Sequence, residues 1–295
     1  MATGGDDLDD NLLLDEFEED VPAAEVEDAP DNSSEDGNIG EEAEEDQRPT
    51  PKQSEAQIEK KRKRREKDKQ RKKRKIAESG PPVREELGYR TPEEQSDGLF
   101  ALQKKCFTDL STIELDEKRI PASAFANTSS WTQARPHDEL VDFIAQCAPS
   151  LQKRLGQKSK SNGAPTLLFI TPAANRATDV ARVLKTKALR GEKGGEVAKL
   201  FARHFKLHEH ASYLLKTKVG AAVGTPGRVG KLLTETESLS TTALSHIILD
   251  VTLRDAKERT LFDIPETRDE VFKTVLGIPQ ILKAIKEGKV EIVLF

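Results

Sequence analysis

The sequence predicts an α/β fold: one doubly wound parallel sheet with helices on both faces, preceded by a disordered acidic tail and a basic segment. Three observations carry this. "TLLFI" (166–170), "VGAAVG" (219–224), "HIIL" (246–249) and "VEIVLF" (290–295) are near-continuous apolar or small-residue runs of strand length, as expected of strands covered on both sides. Stretches of helical period separate them. Two of the strands run directly into Thr-Pro, a signature of strand-to-helix turns.

In chain order, Pro136 sits at a first-turn position, and Leu140, Val141, Ile144 and Cys147 share a helical face. After the strand at 166–170, Thr171 is placed to cap and Pro172 to occupy the first turn of a helix whose inner face is Ala177, Val180, Ala181 and Leu184. Val197, Leu200, Phe201 and Phe205 suggest a further helix. Following the strand at 219–224, Thr225 caps, Pro226 starts the turn, and Val229, Leu232 and Leu233 face inward. Two more helices start near Pro265 and Pro279, between the last two strands.

The charge is partitioned. Among 295 residues with a net charge of −5, residues 1–46 contain twenty Asp or Glu and no Lys or Arg, whereas "KKRKRREKDKQRKKRK" (60–75) has thirteen basic and two acidic residues. The expected organisation is a disordered acidic tail (1–54), a basic segment read as a helix or a linker (55–79), a linker (80–99) and the sheet domain (100–295). "NLLLDEF" (11–17) is an apolar cluster inside the acid, read either as chance or as a partner-binding helix. No run approaches the ~18 apolar residues of a membrane span, and the N-terminus lacks the pattern of a secretory signal. The expectation is a soluble intracellular protein with no membrane partner. Cys106 and Cys147, without a paired-spacing motif, read as buried small hydrophobes.

In such a sheet, ligands sit at the carboxyl ends of the strands, where helix N-termini offer unpaired N–H groups and partial positive charge. Thr171 and Pro172 form one such turn; Thr225, Pro226, Gly227 and Arg228 form the other. Both are candidate seats for an RNA phosphate, the second with a permanent charge. The basic run, with Lys60, Lys61, Arg62, Lys63, Arg64, Arg65, Arg71, Lys72, Lys73, Arg74 and Lys75, is a candidate for non-specific RNA contact and for nuclear import recognition. His204 and His208 have the spacing of a metal pair, with His210 near, but lack a supporting cysteine or glutamate and read as helix surface. Trp131, the single tryptophan, reads as a packing anchor. "GEKGGE" (191–196) lacks a strand directly before it.

"LLFITPAANRATDVARVL", "VGAAVGTPGRVGKLL" and "LSHIILDVTLRD" resemble, in order and spacing, three signatures of the first RecA-like lobe of DEAD-box RNA helicases. Only the Thr-Pro-Gly-Arg segment is intact. Ala174 stands where the helicase segment has Arg. Asp250 is the remnant of the carboxylate motif, with Val251, Thr252 and Leu253 in place of Glu, Ala and Asp. A phosphate loop needs glycines, a Lys and a Ser or Thr, and "RLGQKSKSNGAPT" (154–166) supplies no Gly-Lys-Thr or Gly-Lys-Ser. The expectation is therefore a degenerate lobe with neither the phosphate cradle nor the water-orienting carboxylate, and without the second lobe. Together with the acidic start and basic run, "VGTPGR … ILDVTLRD" resembles the CMS-type family of subunits of the early small-subunit (90S) pre-ribosomal complex.

That resemblance implies a non-enzymatic, nucleolar assembly factor in ribosomal RNA maturation, with no cofactor and no metal. It implies as partners a ribosomal RNA precursor or snoRNA and other pre-ribosomal proteins. The competing readings are a protein scaffold whose acidic tail binds basic proteins, and a working ATPase.

Overall fold

The computed structural model describes residues 86–203 and 205–295. The expectations for the acidic tail, for the basic run and for His204 lie outside the described residues.

Regular structure among the described residues begins before residue 100. Helix α1 (Pro92–Cys106) lies where the sequence suggests a linker. Its start is a reciprocal cap: Glu94 N–H donates to Thr91 Oγ1 at 3.4 Å and Thr91 N–H to Glu94 Oε2 at 3.0 Å, with Pro92 in the first turn. Periodicity missed this helix because half of its buried face is polar. Gln95, Ser96 and Gln103 are buried beside Leu99 and Cys106. Ser96 Oγ donates to the Ile120 carbonyl at 2.7 Å and Gln95 Nε2 to Thr128 Oγ1 at 2.8 Å, so these donors keep partners away from water, while Gln95 Oε1 is buried without one.

Then follow α2 (Thr112–Lys118), α3 (Leu140–Cys147), α4 (Pro149–Leu155), β1 (Leu167–Ile170), α5 (Ala174–Leu184), α6 (Lys187–Arg190), β2 (Glu196–Leu200), α7 (Leu207–Lys216), β3 (Val219–Gly224), α8 (Pro226–Thr234), β4 (His246–Leu249), α9 (Pro265–Glu270), α10 (Pro279–Lys286) and β5 (Glu291–Leu294). The helix suggested by Val197, Leu200, Phe201 and Phe205 is instead strand β2. Gly195 lies against the backbone of Gly220, where a Cβ would meet Gly220 Cα at 2.9 Å, and this close approach draws the segment into the sheet beside β3.

All pairings are parallel, in the order β2-β3-β1-β4-β5. Successive residues of each strand point to opposite faces. Leu168, Ile170, Ala222, Ile247 and Leu249 join a core with α1, α8 and α10. Leu167, Phe169, Ala221, Val223 and Ile248 join a second core with α3, α4 and α5. Trp131 is buried in the latter, edge-on to Phe143 at 5.7 Å, as a packing anchor should be. Gly163, at φ +58°, knots the amino ends of the strands: its N–H donates to the Thr217 carbonyl, and its carbonyl accepts from Ser240 N–H at 2.7 Å. Among the described residues no helix is long and apolar enough to cross a membrane.

Candidate nucleic-acid interface

Because β1 is central, the chain fills one side of it with β2 and β3 and then crosses to β4 and β5. Strand order thus reverses around β1, and its carboxyl end borders the crevice where ligands sit in open α/β sheets. Thr171 follows β1, Thr225 follows β3 and Asp250 follows β4. The two Thr-Pro turns and the carboxylate therefore do share one end of the sheet.

Their side chains are already engaged. Asp250 is completely buried, and its Oδ2 accepts from Thr171 Oγ1 at 2.9 Å and from Arg176 Nε at 3.0 Å. Thr171 is equally buried. Its hydroxyl does not cap α5, whose N-cap position is Ala173, and Pro172 lies ahead of the first turn; the hydroxyl instead donates to Asp250. Arg176 is fixed on its other edges: Nη2 donates to the Arg135 carbonyl at 3.1 Å, Nη1 lies 3.2 Å from His137 Nδ1, and the guanidinium sits over Phe295. Burial pushes the Asp250 carboxyl above the usual carboxylate range, while Arg176, the Thr171 hydroxyl and the Leu253 backbone N–H pull against that shift. The carboxylate is thus held through Oδ2 as the ion-pair partner of Arg176, while its Oδ1 is buried without a hydrogen-bond partner. Among the described residues no cluster of three or more His, Cys, Asp or Glu is arranged to hold a metal.

The second turn is also covered. Thr225 occupies the N-cap position of α8 without a side-chain cap. The Glu270 carboxylate, at the end of α9, lies over Gly227, where any Cβ would collide with it, and accepts from the Gly227 N–H. Burial pushes the Glu270 carboxyl up, against the pull of that N–H and of Lys231. A carboxylate from the chain itself thus sits at the positive end of α8. Arg228 Nη2 donates to the Phe205 carbonyl at 2.8 Å and Nη1 meets His210 Nδ1 at 3.1 Å, which ties α8 to α7. His210 is buried, and desolvation with the adjacent Arg228 lowers its pKa to about 4. It is a buried acceptor for Arg228 and not an outward surface group.

A strand–loop–helix unit precedes β1. Phe125 bridges to Ile292 of β5 in parallel, and residues 127–136 then lead towards α3. Arg135 is buried in this loop and donates to the carbonyls of Leu294 (2.6 Å), Gly88 (2.7 Å) and Thr128 (3.0 Å), its guanidinium between the rings of Tyr89 and Phe143. The segment 154–166, by contrast, enters the amino end of β1, remote from the crevice. Sequence reading missed Arg135, Arg176, His137 and Glu270. The available signal was Arg176, five residues after Thr171 in the segment where Ala174 was noted as a lost arginine.

Fold and site together define a five-stranded parallel α/β domain in which Arg135 and Arg176 are held at the carboxyl end of the sheet by partners from the chain itself. Residues 42–295 match the CMS1 family, described as the U3-containing 90S pre-ribosomal complex subunit, and the chain belongs to it. Protein CMS1 of Chaetomium thermophilum is 37% identical over 172 residues, covering 58% of this chain and 66% of that protein. Protein cms1 of Schizosaccharomyces pombe is 33% identical over 203 residues, 69% of each. Protein CMSS1 of Homo sapiens is 32% identical over 173 residues, 58% of each. The match thus spans about two thirds of the two fungal relatives. Among solved structures, a DEAD box protein from Methanococcus jannaschii aligns at 20% identity and TM-score 0.33 over 55% of this chain and 37% of that one. The yeast DEAD-box splicing factor Prp28 aligns at 15% and 0.32 over 65% and 33%.

Proposed function

We propose that this chain is a non-catalytic, RNA-associated assembly factor of the early small-subunit pre-ribosome, acting in the nucleolus in ribosomal RNA maturation. The observation that carries the non-catalytic part is the burial of Asp250 between Thr171 and Arg176. Phosphoryl transfer depends on metal ions and oriented charge at the transferred group, and here the candidate metal carboxylate is neutralised from within. The loop in the strand–loop–helix position points the same way: residues 127–136 contain no glycine and no lysine, so they offer neither a flexible backbone cradle nor a phosphate-reaching ammonium.

The proposed RNA contacts are the basic run 60–75 and the α8 turn of Thr225, Pro226, Gly227 and Arg228, the latter once Glu270 gives way to a phosphate. Thr171 and Pro172 shape the crevice. Pre-ribosomal RNA or a snoRNA, neighbouring pre-ribosomal proteins and an import receptor reading the basic run are the proposed partners. Two measurements test this reading. Magnesium-dependent ATP turnover by the full chain, abolished by Asp250→Ala, would overturn the non-catalytic assignment. Filter binding across a salt series tests the RNA part: deleting residues 60–75 should flatten the salt dependence, because each neutralised phosphate releases counterions. An unchanged slope would refute the role of that run.

A further inference from the structure

The end of the sheet opposite the crevice carries a charge the reading above leaves unused. From residue 143 to 170 the chain has four basic residues and no acidic one. Lys153 and Arg154 lie in the last turn of α4, Lys158 in the loop beyond it, Lys185 just past α5, Lys187 in α6 and Lys193 in the loop entering β2. All six are exposed, and none of them forms an ion pair or a side-chain hydrogen bond among the described residues. The fold brings these segments together. A Cβ on Gly194 would lie 2.6 Å from the Leu155 carbonyl oxygen, and one on Gly191 3.7 Å from Gly156 Cα, so the loop after α6 rests against the end of α4. Beneath them Leu151, Leu155, Leu184 and Leu189 share one core. Nearby acidity is small: Glu196 is paired with Arg190 and Asp179 with Arg182, which leaves Glu192. Residues 86–295 contain 31 basic and 26 acidic residues, so this one surface holds a charge comparable to the net charge of the described region.

We propose that this surface docks double-helical RNA through its phosphates, as a second contact in addition to those named under the proposed function, on whose RNA association it rests. Fixed cations on three rigidly packed segments suit a regular phosphate lattice. Recognition of single strands relies on bases stacking on aromatic rings, and residues 144–168 and 177–200 contain no Phe, Tyr, Trp or His. The surface has charge without a stacking platform, which is what a closed helix with its bases inside requires.

The test compares the full chain with the variant Lys153→Gln, Lys158→Gln, Lys185→Gln, Lys187→Gln. The probes are an RNA hairpin of about 20 base pairs, longer than the ~16 that a small double-stranded-RNA module spans, and an unpaired RNA of equal length, titrated across salt. Four lost phosphate contacts should make the log–log salt slope on the hairpin shallower by about 3.6, so that the affinity range between about 50 and 200 mM salt shrinks roughly 150-fold. The change on the unpaired RNA should be smaller, and the thermal melt unchanged, since all four side chains are exposed. An unchanged hairpin slope overturns the proposal, as does an equal change on both RNAs. A variant that keeps its RNA slopes but loses binding of a peptide spanning residues 1–46 would reassign the surface to this chain's own acidic tail and also overturn it. If the unsubstituted chain binds neither RNA, the RNA part of the proposed function fails as a whole; if it binds and the variant matches it, only this surface fails.

Discussion

Replacing Asp250 with alanine removes the one carboxylate facing the Arg176 guanidinium, which is only 10% exposed, and leaves the Thr171 hydroxyl without its acceptor. Breaking a buried ion pair by deleting one member costs about 3–5 kcal/mol, because the surviving charge stays desolvated. Arg176 retains the Arg135 carbonyl and His137 as neighbours and can relax towards solvent, which places the expected loss near the lower bound, about 3 kcal/mol. For a domain of this size that is a fall in Tm of roughly 6–12 °C. Trp131, the single tryptophan and buried beside Phe143, reports urea unfolding by fluorescence. The double variant Asp250→Ala, Arg176→Met, compared with each single change, should recover a large part of the loss, giving a coupling energy above about 1 kcal/mol. If Asp250→Ala lies within ~1 kcal/mol of the unsubstituted chain, or if the two changes are simply additive, the carboxylate is not a structural ion-pair partner and the non-catalytic argument loses its base.

Three further outcomes follow from the same geometry. The folded pKa of His210, about 4, lies below its ordinary 6.5, so the unfolded chain binds the extra proton: this contribution is intact above pH 6.5 and is lost as pH falls towards 4. After discounting for solvent screening it amounts to roughly 1–2 kcal/mol, and melts of His210→Gln should lack that acid-side decline. Glu270→Gln should remove the carboxylate over Gly227 and strengthen RNA binding several-fold in filter assays, at a stability cost below about 1 kcal/mol; weaker binding would show that the α8 turn takes no phosphate. Gly163→Ala, at φ +58° and with its Cβ driven into the Ser238 carbonyl, should cost roughly 2–4 kcal/mol in a urea titration.

Strands β1, β3, β4 and β5 and the starts of α8, α9 and α10 were legible in the sequence, because a buried parallel strand is an uninterrupted apolar run and Pro226, Pro265 and Pro279 each stand in a first turn; Pro172 and Pro136, read the same way, instead lie ahead of α5 and of a 3-10 turn. Helix α1 was not, since its inward face is built from Gln95, Ser96 and Gln103, whose burial is tolerable only through acceptors from distant residues such as Thr128 and Ile120. Strand β2 was misread because Val197 and Leu200 fit a helical spacing, and only the contact of Gly195 with Gly220 assigns them to opposite faces of a sheet.

The sequence by itself determined the α/β class, the segregation of charge, and the presence of Thr171, Thr225 and Asp250 at the same end of the sheet. Local periodicity and turn chemistry suffice for each of these. What those groups are doing was decided only in three dimensions. Asp250 is joined to Arg176 across 74 positions, Arg135 to Leu294 across 159, and Glu270 covers Gly227 from a different helix. Charge pairing depends on distance and burial, which linear spacing does not encode, so the chain shows which groups share that end of the sheet and only the fold shows that Asp250, Arg228 and the Gly227 N–H each already have a partner within it.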